Sequence, residues 1–283
     1  MMHPLRKIYC GQLLFALVLL AVVTVSGCVA DRSQRLAQGD RAAFDRMVTD
    51  VRQSRVILIG EFHDHREHHD LQLQVIKALR HEGLPVAIGL EMFDHESQPT
   101  LDRWVAGKIE LKDFVDYYQQ KWTILWAEYG EIFLYARNNH IPLVGLDAPE
   151  EIVTRVAHGG FQSLRGRDLE RLPAGVTPRM SESYREFLRA PFRSHRMEET
   201  LFDNFCEAQG VRNSTMARVI DGYLAKNAGS TMVVITGMGH AIRRGMAAEL
   251  EKEFRLRAKI IIPATEDTFD MLEHDDADYF VYL

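Results

Sequence analysis

The stretch that decides the fold is VILIGEFHDHREHH, residues 56–69. Its first five residues form a continuous apolar run, which predicts a short strand buried on both faces. Glu61 and His63 follow two positions apart, so they point the same way if the chain stays extended beyond the strand. The stretch therefore predicts a buried strand and then a loop that carries an acid and a histidine.

The second half of the stretch, DHREHH, predicts the start of a helix. Asp64 with Glu67 three residues later is a capping-box pattern, and we expect the helix to run to about His81. Three histidines share one side of this helix: His65, His68 and His69. Their i, i+3 and i+4 spacing is compatible with metal binding. It is equally compatible with partly exposed polar side chains that cover the first turn of the helix, and we favour this second interpretation.

Outward from this stretch, short runs of Val, Ile and Leu alternate with longer segments of helical periodicity. This alternation predicts an α/β fold, a mostly parallel sheet flanked by helices. The predicted strands are residues 56–60, 86–91, 142–147, 232–236, 259–263 and 279–283, the last as an edge strand. Residues 149–228 contain no strand pattern and predict a helical subdomain. This subdomain is inserted into an α/β domain that comprises residues 41–148 and 229–283.

The N-terminus has the pattern of an export signal. Arg6 and Lys7 precede an apolar stretch that is too short to span a membrane comfortably, so residues 1–27 are predicted to be a signal peptide. VSGC at residues 25–28 resembles a bacterial lipobox, in which the cysteine is acylated after cleavage. Cys28 is thus the predicted lipidation site, and residues 28–40 are predicted to tether the body to the lipid.

Composition narrows the class of protein further. Of the cysteines, Cys10 leaves with the signal and Cys28 takes lipid, so Cys206 alone remains and no internal disulfide can form. Stability must then come from a core, for which a hydrophobic content of 46% is ample. Loss of Arg6 and Lys7 takes the formal net charge from -6 to -8, which argues against a nucleic-acid partner.

Acids and histidines follow several of the predicted strands. In open parallel sheets ligands bind beyond the carboxyl ends of the strands, so these residues are expected to converge in one cleft. They are Glu61, His63, Glu91, Asp147 and His240. Glu61 and His63 suit a general base, or they could share a divalent metal with Glu91 and His240. No HExxH motif and no paired CxxC motif marks a zinc site.

Aromatic residues at helical spacing offer a second choice of interpretations. Trp122, Trp126, Tyr129 and Phe133 could line a flat cofactor, but a core-facing stripe explains them better. Tyr184, in the helical region, is less obviously a core residue. A tyrosinate can ligate ferric haem, although spacing alone does not indicate that role here.

Several motifs together resemble the ChaN family of haem-binding lipoproteins, and they cover most of the mature chain in order. The motifs are VILIGEFHDHREHHDLQLQVI, IGLEMFDHESQPTLDRWVAG, YGEIFLYARNNHIPLVGLDAP, EAQGVRNSTMARVI and ITGMGH. The family is also similar to erythromycin-esterase-like and metalloprotease-like proteins. In two places this sequence departs from the family: Asp147 stands where asparagine is usual, and Asn213 stands where aspartate is usual. An exchange of this kind could preserve a hydrogen-bonded pair.

The resemblance implies an iron-uptake accessory that holds haem between the two subunits of a homodimer. It implies a tyrosine on the iron, with Tyr184 and Tyr129 as candidates, and His195 as a further cofactor-binding residue. It also implies an outer-membrane lipoprotein with its body in the periplasm or at the cell surface, with an outer-membrane haem receptor as a candidate partner. The alternative is an esterase-like or metallopeptidase-like hydrolase that uses Glu61, His63, Glu91 and His240, and a third is a scaffold with a vestigial cleft.

Overall fold

Seven parallel strands form one sheet with the order β1-β7-β6-β2-β5-β3-β4. The computed structural model describes residues 34–37, 39–190, 198–265, 268 and 271–283. The strands are β1 (Gln34–Leu36), β2 (Val56–Glu61), β3 (Val86–Asp94), β4 (Leu143–Asp147), β5 (Thr231–Gly237), β6 (Ala258–Ala264) and β7 (Tyr279–Tyr282). Every residue of β2, β3 and β5 is buried, as expected for central parallel strands with helices on both faces. The predicted α/β fold is confirmed.

Two features of the sheet differ from the sequence prediction. Strand β7 is not at the edge, because β1 pairs with it in parallel from Gln34 to Leu36. These three residues lie within the stretch 28–40 that we expected to be a tether. A three-residue strand is too short for its alternation to stand out, and only the partner strand identifies it.

Helices cover both faces of the sheet. Before β4 they are α1 (Arg41–Val51), α2 (Arg66–His81), α3 (Gln98–Val105), α4 (Leu111–Lys121) and α5 (Trp126–Asn138). After β4 they are α6 (Glu150–Gly159), α7 (Gly166–Glu170), α8 (Glu182–Arg189), α9 (Glu199–Lys226), α10 (Met238–Ala241) and α11 (Met246–Phe254). None of the helices within the described ranges has the length and apolar character needed to cross a bilayer.

Helix α2 begins one position later than the capping-box pattern predicts. His65 is the N-cap residue and its side chain makes no capping hydrogen bond. The chain first turns after β2, with the His65 N–H donating to the Phe62 carbonyl, so Asp64 lies in the turn and cannot cap the helix. The predicted end of the helix at His81 is confirmed.

Between β4 and β5 the described residues form helices joined by turns and loops and contain no strand, as predicted. Its long helix, α9, packs on the sheet, because Met216 and Ile220 share one apolar cluster with Val234 and Ile260. The inner face of α9 is therefore part of the core of the sheet. The division of the chain into an α/β domain and a separate helical subdomain remains a prediction.

Candidate functional site

The Glu61 carboxylate, at the end of β2, is buried among hydrogen-bond donors that are mostly neutral. Its side chain is only 1% exposed. Gln72 donates to Oε2 at 2.6 Å, and the Tyr129 hydroxyl donates to Oε1. His63 Nδ1 lies 2.7 Å from the same Oε1. Strand β2 and helices α2 and α5 thus together hold this acid in one orientation.

His63 is the member of this group that reaches solvent. Its side chain is 36% exposed, and the edge of its ring meets Trp122 at a centroid distance of 4.9 Å. Burial lowers the pKa of His63, but the nearby carboxylates of Glu61 and Glu91 outweigh burial and leave the pKa raised. With Nδ1 bonded to Glu61, Nε2 is the ring nitrogen left for a ligand or a proton.

The absence of a side chain at Gly237 leaves room for the ring of His63. A Cβ atom on Gly237, the last residue of β5, would lie 3.0 Å from His63 Cε1 and 3.2 Å from Nε2. The glycine also donates its backbone N–H to Glu91 Oε2 at 2.6 Å. The TGMGH motif, residues 236–240, therefore contributes both His240 and, at Gly237, the space that the His63 ring needs.

Glu91, on β3, is held by a full positive charge. Arg212 donates to Oε1 at 2.7 Å, and Thr236 donates to Oε2 at 2.5 Å. Burial raises the pKa of this carboxyl, but His240, Arg212 and His63 overcome burial and hold the pKa far below its usual range. Glu91 is therefore held as a carboxylate at neutral pH.

Arg212 joins the ends of two strands. In addition to the bond with Glu91, Arg212 Nε donates to Asp147 Oδ2 at 2.8 Å. One guanidinium on α9 therefore binds an acid on β3 and an acid on β4. Sequence reasoning missed this residue, since a single arginine inside a long helix carries no local signal of its partners. The ion pairs around it are largely buried, because the Arg212 side chain is 17% exposed and that of Glu91 is 2% exposed.

His240 lies beside Glu91 and is kept neutral. Its Nδ1 lies 2.7 Å from Asn213 Oδ1, and its Nε2 is 3.6 Å from Glu91 Oε1. Burial lowers the pKa of His240 to about 4. Asp147 and Asn213 do not form the hydrogen-bonded pair that their exchanged identities suggested, because Asp147 binds Arg212 while Asn213 binds His240.

The structure brings together all the strand-end residues that the sequence predicted, in two adjacent clusters that meet at Gly237. No set of three or more His, Cys, Asp or Glu side chains in the described ranges is arranged to hold a metal ion. Of the helix histidines, His65 is exposed, whereas His68 and His69 are buried. His68 Nδ1 accepts the Phe62 N–H at 2.9 Å, which is a structural contact.

The two tyrosines considered as haem ligands are both buried. Tyr129 is 0% exposed and its hydroxyl is used by Glu61. Tyr184 is 1% exposed, and its hydroxyl lies beside the Asn213 side chain without a hydrogen bond of regular geometry. Phe133 is also buried and lies in the main core cluster with Tyr129, and the partly buried Trp122 and Trp126 pack against that cluster, which supports the core interpretation of the aromatic stripe. His195 and Cys28 lie outside the described residues.

The fold and the site define a class of protein: a parallel α/β sheet with two acid–histidine clusters at the carboxyl ends of its strands. The family model described as haem-binding uptake, Tiki superfamily, ChaN matches residues 47–250, and the chain belongs to this family. The resemblance noted in the motifs is thereby confirmed. No curated protein matches the chain at a significant level.

Solved structures share the fold. The structure described as cofacial heme binding to ChaN of Campylobacter jejuni matches with a TM-score of 0.66 and 17% sequence identity, over 84% of this chain and 90% of that chain. An erythromycin esterase mutant, EreC, in its open conformation matches with a TM-score of 0.47 and 14% identity. That second match covers 77% of this chain and 72% of the esterase.

Proposed function

We propose that this protein is a membrane-anchored haem-binding lipoprotein that acts in haem and iron acquisition. The observation that carries the proposal is membership of a haem-binding uptake family over residues 47–250. The shared fold with a ChaN protein for which cofacial haem binding is described supports it. In this proposal Cys28 carries the lipid, and two copies of the chain enclose the haem.

Tyr184 fits the role of iron ligand better than Tyr129. Its hydroxyl is not bonded to a carboxylate as that of Tyr129 is, and the residue lines a cavity of about 340 Å³. Arg179 and Lys252 line the same cavity and are exposed, so they would pair with the propionates of a haem. Bound haem would supply ferric iron, for which a phenolate is a suitable ligand.

Access to Tyr184 requires movement. The side chain is buried, and burial raises the pKa of its hydroxyl, which opposes formation of a phenolate. Haem must therefore displace the side chains that cover the hydroxyl, and the charge of the iron must offset the raised pKa. Binding is expected to be slow compared with diffusion and faster at alkaline pH.

A haem titration of the purified protein tests this proposal. We expect a Soret shift and a charge-transfer band of the tyrosinate type, with both lost in Tyr184→Phe. Tyr135→Phe changes a partly exposed tyrosine that stacks against Lys77 and serves as the matched control. If the wild-type protein gives no Soret change at micromolar concentration, haem binding is disproved. If Tyr129→Phe alone removes the band, the ligand is Tyr129.

Anchoring and assembly have their own tests. Mass spectrometry of membrane fractions is expected to find acyl chains on the N-terminal cysteine of the mature protein and none in Cys28→Ser. The body then lies in the periplasm or at the cell surface on the outer membrane, where an outer-membrane haem receptor is the proposed source of haem. Sedimentation is expected to show a homodimer when haem is bound, and His195→Ala is expected to weaken haem binding.

A hydrolase is the second candidate, and the Glu61–His63 pair favours it. A carboxylate that fixes Nδ1 leaves Nε2 of a half-exposed imidazole to take a proton from water. Glu91 and His240 lie next to this pair, as the hydrolase interpretation requires. Turnover in an ester and amide screen, lost in both His63→Ala and His240→Ala with the fold intact, would support it. Equal activity in these variants and in the wild-type protein would eliminate it.

A further inference from the structure

Three aromatic rings form a continuous line from the surface of α5 to the buried Glu61 cluster. The rings of Trp126 and Tyr118 are 5.4 Å apart between centroids, and those of Tyr118 and Tyr129 are 6.3 Å apart. Trp126 is partly exposed, whereas both tyrosines are buried. The line therefore has one end that solvent species can reach and one end that they cannot.

The buried end has a base in place. The Tyr129 hydroxyl donates to Oε1 of Glu61, a carboxylate whose side chain is 1% exposed. Loss of one electron turns a phenol into a strong acid, so a phenol already bonded to a carboxylate loses its proton as the electron leaves. The proton needs no path to water, because Glu61 is the acceptor.

Two nearby tyrosines, Tyr118 on the line and Tyr117 beside it in the chain, lack such a base. The Tyr118 hydroxyl has no hydrogen-bond partner among the described residues. Tyr117 donates to the Ser97 hydroxyl at 2.8 Å, and a hydroxyl is a far weaker base than a carboxylate. Oxidation at either residue would leave a proton with nowhere favourable to go. The site of oxidation, that is, the missing electron, is therefore expected to localise on Tyr129.

We propose that Trp126, Tyr118 and Tyr129 form an electron-transfer chain that moves oxidising equivalents from the protein surface to Tyr129. A one-electron oxidant, of the class formed when peroxide reacts with haem iron, removes an electron from Trp126. An electron then moves from Tyr129 to Trp126, and the Tyr129 proton moves to Glu61 Oε1. The products are neutral Trp126, a Tyr129 phenoxyl radical and a protonated Glu61, so one electron leaves the protein in total.

This inference goes beyond haem binding and does not depend on it, because any one-electron oxidant that reaches Trp126 starts the sequence. Packing alone does not explain the residue types, since Phe would fill the same core space as Tyr129 without burying a hydroxyl. Phe114 and Phe133, whose ring centroids are 5.6 Å apart in the same core, show that purely apolar packing is used elsewhere in it.

Pulse radiolysis of the haem-free protein with azidyl radicals tests the chain, because these radicals oxidise tryptophan first. The wild-type protein is expected to show tryptophan radical decay coupled to tyrosyl radical growth, at a rate independent of protein concentration. Tyr129→Phe is expected to lower the tyrosyl yield at least about threefold, and Glu61→Gln to slow its growth at least about tenfold. Tyr135→Phe, outside the line, is expected to leave both unchanged.

Two results would overturn the proposal: a wild-type tyrosyl yield in folded Tyr129→Phe, or an unchanged rate in Glu61→Gln. Trp126→Phe is a second route to the same question if Tyr129→Phe fails to fold, and it is expected to reduce the yield. Because haem is absent throughout, failure here leaves the haem titration unaffected, and failure of the titration leaves this result unaffected.

Discussion

Glu61 and Glu91 are both buried acids at strand ends, yet they are held in opposite ways. Neutral donors, Gln72 and Tyr129, surround Glu61, and its imidazole partner is partly exposed to solvent. Glu91 is bonded to the guanidinium of Arg212 and to groups on β5, so its charge is balanced inside the protein. The first arrangement leaves an imidazole that can meet a ligand or a proton from solvent, and the second ties strands and helix α9 together.

The largest expected effect comes from removing the charge that balances Glu91. Arg212→Met leaves Glu91 and Asp147 buried without a counter-ion, and we expect a loss of about 3–5 kcal/mol in the free energy of unfolding. Urea unfolding followed by circular dichroism measures it. Arg103→Met, an exposed arginine on α3, is the control and is expected to stay within about 0.5 kcal/mol. Equal stabilities would mean that the Glu91 cluster does not hold the fold.

A smaller loss is expected at Glu61. Gln72→Met keeps the volume of the side chain but removes the donor to Oε2, which should cost about 1.5–3 kcal/mol. Gln74→Met, an exposed position two residues later on α2, controls for the substitution itself. A cost at Gln72 above that of Arg212→Met would reverse the comparison between the clusters.

The two histidines are expected to respond to pH with opposite signs. The pKa of His63 is raised, so its contribution to stability is full below pH 6.5 and is lost as the pH rises through its folded-state pKa. The pKa of His240 is lowered to about 4, so stability is lost as the pH falls from 6.5 towards 4. NMR titration of both rings checks this, and Glu61→Gln should lower the pKa of His63 while leaving His240 neutral above pH 5. Shifts of equal sign would refute the contrast.

The smallest effect is expected at the glycine between the clusters. Gly237→Ala places a methyl group 3.0 Å from His63 Cε1, which should cost about 1 kcal/mol and weaken the bond to Glu61. The readout is a fall in the pKa of His63 together with a fall of about 2–4 °C in the melting temperature. Gly222→Ala, where a Cβ meets no atom within 4 Å, is the control. An unchanged pKa would show that His63 does not depend on this gap.

Much of the fold could be read from local pattern. Continuous apolar runs at residues 56–60, 86–91 and 232–236 predicted central strands, because a buried parallel strand needs apolar side chains on both faces. Short strand β1 escaped prediction, since its pairing with β7 rather than its own three residues makes it a strand. The start of α2 was misplaced for a similar reason: a turn between Phe62 and His65 decided which residue caps the helix.

The candidate site, like the fold, was predicted only in part from the sequence. The sequence by itself determined which acids and histidines meet at the strand ends, because parallel strands bring their carboxyl ends to one edge. Only the tertiary structure decided their partners: Arg212 for Glu91, Asn213 for His240, and Tyr129 for Glu61. These contacts join residues between 27 and 121 positions apart, and a hydrogen bond depends on distances and angles that no local pattern encodes.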